Sequence, residues 1–175
     1  MIEDTFILLD ALEHDIPRLR QLSSQKTSLP IVIEIGSFAP VVPHNFNQVG
    51  LDQAVSLRSF KRRFSCLVNA VFPNKSPRVT VVLFSLDISF PANLTTTTTL
   101  EWNVPRQFNS VVQCDLLNGL RVHGGVDVLV FNPPYVPTEE DDSWAGDIGF
   151  AWKGGRMGMQ TTWRVLEDLE VKNCG

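Results

Sequence analysis

Apolar residues along this chain change period several times, and each change marks an element. Between Thr5 and Leu22, Phe6, Leu8, Leu9, Leu12, Ile16 and Leu19 fall near one face of a helix. Glu3 and Asp4 stand at its start, where acidic groups suit the positive end of the helix dipole. Pro17 is expected to kink or divide this helix, because it lacks the N–H that the turn needs. After a polar linker, Ser23 to Ser28, a short β-branched run from Leu29 to Ile35 ends in Gly36-Ser37. That run predicts a parallel strand followed by a turn.

From Phe38 to Arg78 the pattern is irregular and broken by Pro40, Pro43, Pro73 and Pro77. A helical stretch from about Val49 to Val71 is the one element suggested there. Val79 to Leu86 predicts a strand with Asp87 at its end. The five threonines Thr95 to Thr99 are a poor helix sequence, because β-branched side chains lose rotamer freedom in a helix. Phe108 to Cys114 predicts a further strand closing on Asp115, and Val126 to Phe131 another, buried one. Thr138 to Asp147 reads as an acidic loop, Trp152 to Gly158 as a glycine-rich one, and Met159 to Val171 as a last helix. This order predicts an α/β fold with a parallel sheet in one domain, residues 1–175, with an irregular stretch at 38–78.

The most informative residues follow the last strand. Asn132-Pro133-Pro134-Tyr135 places an amide at a strand tip, followed by two residues without a backbone N–H. Such a tip presents acceptors, the Asn132 side-chain oxygen and the carbonyls behind it. A planar –NH2 group with two in-plane donors suits them, and Tyr135 offers a flat face beside it. In its bland reading, Asn-Pro-Pro is merely a turn that ends a strand. The strand in front favours the functional reading, because ligands of open α/β sheets bind outside the carboxyl ends of strands.

Bulk properties narrow the choice. The 175 residues suffice for one domain with a core, and 43% of them are hydrophobic. A net charge of −4 argues against nucleic acid as a partner, and Lys61-Arg62-Arg63 is too short a basic cluster to reverse that. Cys66, Cys114 and Cys174 are widely spaced, as are His14, His44 and His123, so neither a metal site nor a disulfide framework is expected. No apolar run is long enough for a bilayer and no basic-then-apolar leader opens the chain, so no membrane partner and a cytoplasmic or nuclear address are expected.

Asp127 to Thr138, Asp-Val-Leu-Val-Phe-Asn-Pro-Pro-Tyr-Val-Pro-Thr, resembles the active-site signature of the HemK-like methyltransferases, and more narrowly their eukaryotic and archaeal release-factor glutamine methyltransferase branch. Glu3 to Leu12, Ile33-Glu34-Ile35-Gly36-Ser37 and Trp152-Lys153-Gly154-Gly155-Arg156 with Gly158 agree with it. The likeness covers about half the chain. It implies a doubly wound, mostly parallel Rossmann-like class I methyltransferase sheet, with 38–78 as an irregular insertion, and S-adenosyl-L-methionine as methyl donor. Glu34 and Gly36 would lie against the donor's methionine part, and Asp87 would accept from its ribose hydroxyls. Asp115 with Leu116 would border its adenine. Asn132, which would also border the donor, and the Pro133 carbonyl would hold the acceptor amide, with Pro134 part of the same catalytic motif and Tyr135 packed near it. The implied acceptor is the glutamine of the Gly-Gly-Gln loop of a class I peptide-chain release factor. The implied partner is a small zinc-binding activator subunit on the edge strand Phe108 to Cys114.

The chain departs from this pattern after Gly36. Ser37-Phe38-Ala39-Pro40 stands where the family has further glycines, which predicts impaired donor binding. The stretch from there to Asp87 exceeds the family's need by roughly a dozen residues. The sheet is expected to lack its last strands, as in a truncated or mis-spliced product. Alternative readings are therefore a DNA adenine-N6 or protein-lysine methyltransferase of the same fold, or an inactive remnant.

Overall fold

The computed structural model describes residues 2–24, 30–36, 82–103, 108–121, 125–139 and 152–173. Four strands, β1 (Ile31–Ile35), β2 (Val82–Asp87), β3 (Phe108–Gln113) and β4 (Val128–Phe131), form one sheet in the order β3-β2-β1-β4. Every pairing is parallel. Helix α1 (Ile2–Ser24) precedes the sheet, α2 (Phe90–Asn103) links β2 to β3, and α3 (Gln160–Asn173) follows β4. This is the predicted doubly wound arrangement. The chain leaves β1 to one side towards β2 and β3, and returns to its other side as β4. The insertion expected at 38–78, with its helix at 49–71, and the acidic loop from residue 140 to 147 lie outside the described residues.

Alternation along the strands sends side chains to two cores. On one face Val32, Leu83 and Val130 pack with Leu9 of α1 and Leu100 of α2. On the other, Ile33, Ile35 and Leu86 pack with Leu117 and with Val165 of α3. Helices thus cover both faces, which explains why β1 is apolar at nearly every position rather than at alternate ones.

Two local expectations are corrected. Helix α1 is not divided at Pro17 and continues to Ser24. An interior proline costs about 3 kcal/mol, but Pro17 is exposed while Leu12, Ile16 and Leu19 pack against the core on the opposite side. Each such side chain contributes up to roughly 1.5–3 kcal/mol on full burial, enough together to hold the helix across the defect.

The threonine run is helical as well: Thr95 to Thr99 lie inside α2. The Oγ1 groups of Thr95, Thr97 and Thr98 donate to the carbonyls of Pro91, Asn93 and Leu94, at 3.0, 2.9 and 3.1 Å. Hydroxyls bonded four residues back are compatible with a helix, unlike those that compete for local turns. The inward face, Ala92, Thr96 and Leu100, is buried at spacings of four. Ser89 starts the helix, its Oγ accepting from Ala92 N at 3.4 Å, and Pro91 falls in the first turn where its missing N–H is harmless.

Candidate functional site at the strand tips

The parallel register brings together what the sequence keeps apart. Ile35 pairs with Leu86 on one side and with Phe131 on the other. The next residues along these strands are Gly36, Asp87 and Asn132, so the three stand side by side at the carboxyl end of the sheet. Gly36 N donates to Leu86 O at 2.8 Å, which carries the ladder one residue past β1. Here the strand order reverses, between β1 and β4, and such a crevice is where open α/β sheets bind ligands.

Gly36 has φ 71°, and a Cβ built on it meets nothing within 4 Å among the described residues. The left-handed backbone favours glycine, and no described residue fills the space beside it. Glu34, two residues earlier, is fully buried on the α1–α2 face of the sheet. Ser85, its register partner on β2, donates from Oγ to Glu34 Oε2 at 2.8 Å. Glu34 thus stands behind the Gly36 turn and is not displayed on the rim.

Asp87 is the last residue of β2 rather than the one after it. Its Oδ1 accepts from Ser89 N at 2.8 Å, and its carbonyl accepts from Asn93 Nδ2 at 2.9 Å and from Cys114 N at 3.1 Å. Asp87 thus shapes the turn that leaves β2, and that duty does not exhaust the group. A carboxylate has about four lone-pair sites, and the turn fixes the direction in which the others point.

Beyond β3, Asp115 lies two residues past Gln113, which pairs with Asp87. Leu116 has φ 52°, a left-handed conformation that costs a non-glycine residue roughly 1–2 kcal/mol. Fully buried Leu117 offsets that cost and pins the turn. Asp115 Oδ2 accepts from Arg164 Nη2 of α3, with both side chains about half exposed.

Asn132, Pro133 and Pro134 are partly buried, and Tyr135 is 47% exposed. The motif is not left as a loose turn. Val136 N donates to Trp152 O at 3.0 Å, Gly154 N to Val136 O at 2.8 Å, and Thr138 N to Gly155 O at 3.1 Å. Thr138 Oγ1 accepts from Gly155 N at 3.1 Å. Residues 152–160 thus run beside the chain that leaves Asn132.

The structure brings Gly36, Asp87 and Asn132 to one row, with Asp115 and Leu116 on the adjoining turn and Glu34 beneath. Sequence reasoning missed Ser85 and Arg164, and gave Gly154 and Gly158 no role. Ser85 left a signal: one polar residue inside an apolar strand, matched by lone Glu34 inside another. Without the register nothing joined the two.

Comparison with known proteins agrees with this geometry. No protein-family model matches the chain. It is 35% identical to the eRF1 methyltransferase catalytic subunit mtq2 of Schizosaccharomyces pombe, over 96% of this chain and 64% of that protein. It is 31% identical to the mouse methyltransferase HEMK2, over 90% of this chain and 58% of that protein. A stretch of 48 residues is 42% identical to a putative protein N5-glutamine methyltransferase of Methanocaldococcus jannaschii, covering 27% of this chain and 24% of that one. Over nine-tenths or more of its length the chain thus resembles methyltransferases of the HemK type. It spans about three-fifths of the length of the yeast and mouse relatives.

Proposed function

We propose that this HemK-like chain is an S-adenosylmethionine-dependent N-methyltransferase that acts on a side-chain amide. Its acceptor in this reading is the glutamine of the Gly-Gly-Gln loop of a class I peptide-chain release factor. One observation carries the proposal: Asn132, at the tip of β4, stands directly beside Gly36 at the tip of β1.

The residues at the row fit such a donor. The left-handed Gly36 admits close approach of its methionine end, with Glu34 and Ser85 fixing the strand behind. Asp87 supplies carboxylate oxygens for ribose hydroxyls, and the Asp115-Leu116 turn borders the base. S-adenosylmethionine supplies, when bound, a methyl group made electrophilic by its sulfonium sulfur.

An amide nitrogen is a weak nucleophile because its lone pair is delocalised. Asn132 Oδ1 and the Pro133 carbonyl accept its two hydrogens and turn the lone pair towards the Gly36 side of the row. Catalysis is then mostly alignment and fixed dipoles, and it asks for no covalent nucleophile. The two prolines keep their carbonyls out of helix and sheet, so these acceptors remain available.

The yeast relative is an eRF1 methyltransferase catalytic subunit by name. That supports a release factor as substrate and a companion subunit. Strand β3, paired only with β2 among the described residues, offers an outer edge to which a small zinc-binding activator could add a strand. A cytoplasmic site of action goes with that substrate.

Calorimetric titration of S-adenosylmethionine into the purified chain, alone and with its activator, tests the donor. Labelled methyl transfer to release factor, to lysine-bearing protein and to duplex DNA tests the acceptor. The expected result is saturable donor binding and label on the glutamine alone. Absence of donor binding in both states would overturn the reading.

A further inference from the structure

Gly154 and Gly158 do more than turn the chain. A Cβ on Gly154 would lie 2.7 Å from Pro134 O, and one on Gly158 only 2.2 Å from Tyr135 O. Both clashes are with backbone, so no side-chain rotation relieves them. Gly158 also has φ 71°, which resists substitution by itself. The glycine loop therefore presses directly on the Pro134–Tyr135 and Tyr135–Val136 peptide units, just beyond Asn132 and Pro133.

Hydrogen bonds lock this approach from both segments. Val136 and Thr138 donate to the carbonyls of Trp152 and Gly155, and Gly154 donates back to Val136 O. Gln160 N, at the start of α3, donates to Gly154 O at 2.9 Å, and Gly158 N to Gly155 O at 2.9 Å. Val165 anchors α3 in the second core. A mechanical path thus runs from the buried core through α3 and the loop to the carbonyl of Pro134.

We infer that residues 152–160 form the positioning element of the acceptor site: they hold the Pro-Pro-Tyr backbone so that Asn132 and the Pro133 carbonyl meet an incoming amide at a fixed angle. This rests on the amide-acceptor reading of the site above. Gly36 and Asp87, on the donor side, follow and end other strands, and Asp115 meets α3 through Arg164, outside residues 152–160, so the loop acts on the acceptor and not directly on the donor.

The test measures acceptor and donor separately in the full chain. Gly158→Ala forces the loop away from Tyr135 O, and kcat/KM for the acceptor is expected to fall about 100-fold, as for a displacement of about 1 Å at a reacting group. Affinity for S-adenosylmethionine stays unchanged. The milder Thr138→Val, which removes the acceptor for Gly155 N, lowers kcat/KM about fivefold to tenfold, and Thr138→Ser restores it. Amide exchange at Val136 and Thr138 accelerates in Gly158→Ala while β1 and β2 amides stay protected. Wild-type kcat/KM in Gly158→Ala, or an equal loss of donor affinity, overturns the inference. If the unaltered chain neither binds donor nor transfers methyl, the functional reading itself fails. The positioning element is then judged by exchange alone, and undisturbed protection at Val136 and Thr138 in Gly158→Ala overturns it.

Discussion

Ser85 Oγ donates to Glu34 Oε2 at 2.8 Å between two fully buried side chains on adjacent central strands. A polar pair in this position sits within the core that Val32, Leu83 and Val130 build on the same face. Removing one partner leaves the other's oxygen buried without that bond. Ser85→Ala is expected to destabilise the chain by about 1–3 kcal/mol. Urea denaturation measures this, and a midpoint equal to wild type would refute it.

Asn132→Ala removes the proposed amide acceptor at the tip of β4 and touches nothing in the sheet ladder. Loss of one preorganised partner of this kind costs about 100- to 1000-fold in turnover. Methyl transfer is expected to fall by that factor, while titration with S-adenosylmethionine gives wild-type affinity. Retention of more than a tenth of the activity would remove Asn132 from the mechanism.

Asp87 has two duties, and a pair of variants separates them. Asp87→Asn keeps an oxygen for Ser89 N, so the β2–α2 turn survives, yet it removes the negative charge offered to the ribose hydroxyls. Donor affinity is expected to drop about tenfold, the scale of a charge-assisted hydrogen bond, with little change in thermal midpoint. Asp87→Ala loses both the affinity and the turn, and its thermal midpoint falls. Equal melting of the two variants would mean that the turn needs nothing from Asp87.

Thr96 differs from its neighbours in the threonine run. It is 1% exposed, and its Oγ1 has no hydrogen-bond partner among the described residues. Thr95, Thr97 and Thr98 satisfy their hydroxyls on the carbonyls four residues back. Thr96→Val replaces a buried hydroxyl by a methyl of the same shape, and is expected to stabilise by roughly 1 kcal/mol. Thr97→Val, which removes a made bond, gains nothing. Guanidinium melts of both variants decide between them.

The threonine run also shows where reading a sequence has its limit. Propensity alone sets Thr95 to Thr99 against a helix. Three back-bonded hydroxyls and a buried face of Ala92, Thr96 and Leu100 outweigh it, because packing on the sheet adds more than β-branching removes. Pro17 has the same explanation. Both corrections concern small local preferences overridden by burial, which a one-dimensional pattern does not weigh.

What the sequence determined by itself was local and chemical. Apolar runs at Ile31–Ile35, Val82–Asp87 and Val128–Phe131 specify strands, because a chain covered on both faces has few places for polar groups. Asn132-Pro133-Pro134-Tyr135 announces a strand tip with acceptors, because proline removes the donors. Tertiary structure alone decided the neighbours. Gly36, Asp87 and Asn132 become one row only through the register of β1 with β2 and β4. Ser85 becomes the partner of Glu34, and Gly158 meets Tyr135, across separations that no local pattern encodes. Register is fixed by the summed fit of two cores, and a residue's partner follows from that sum rather than from its own type.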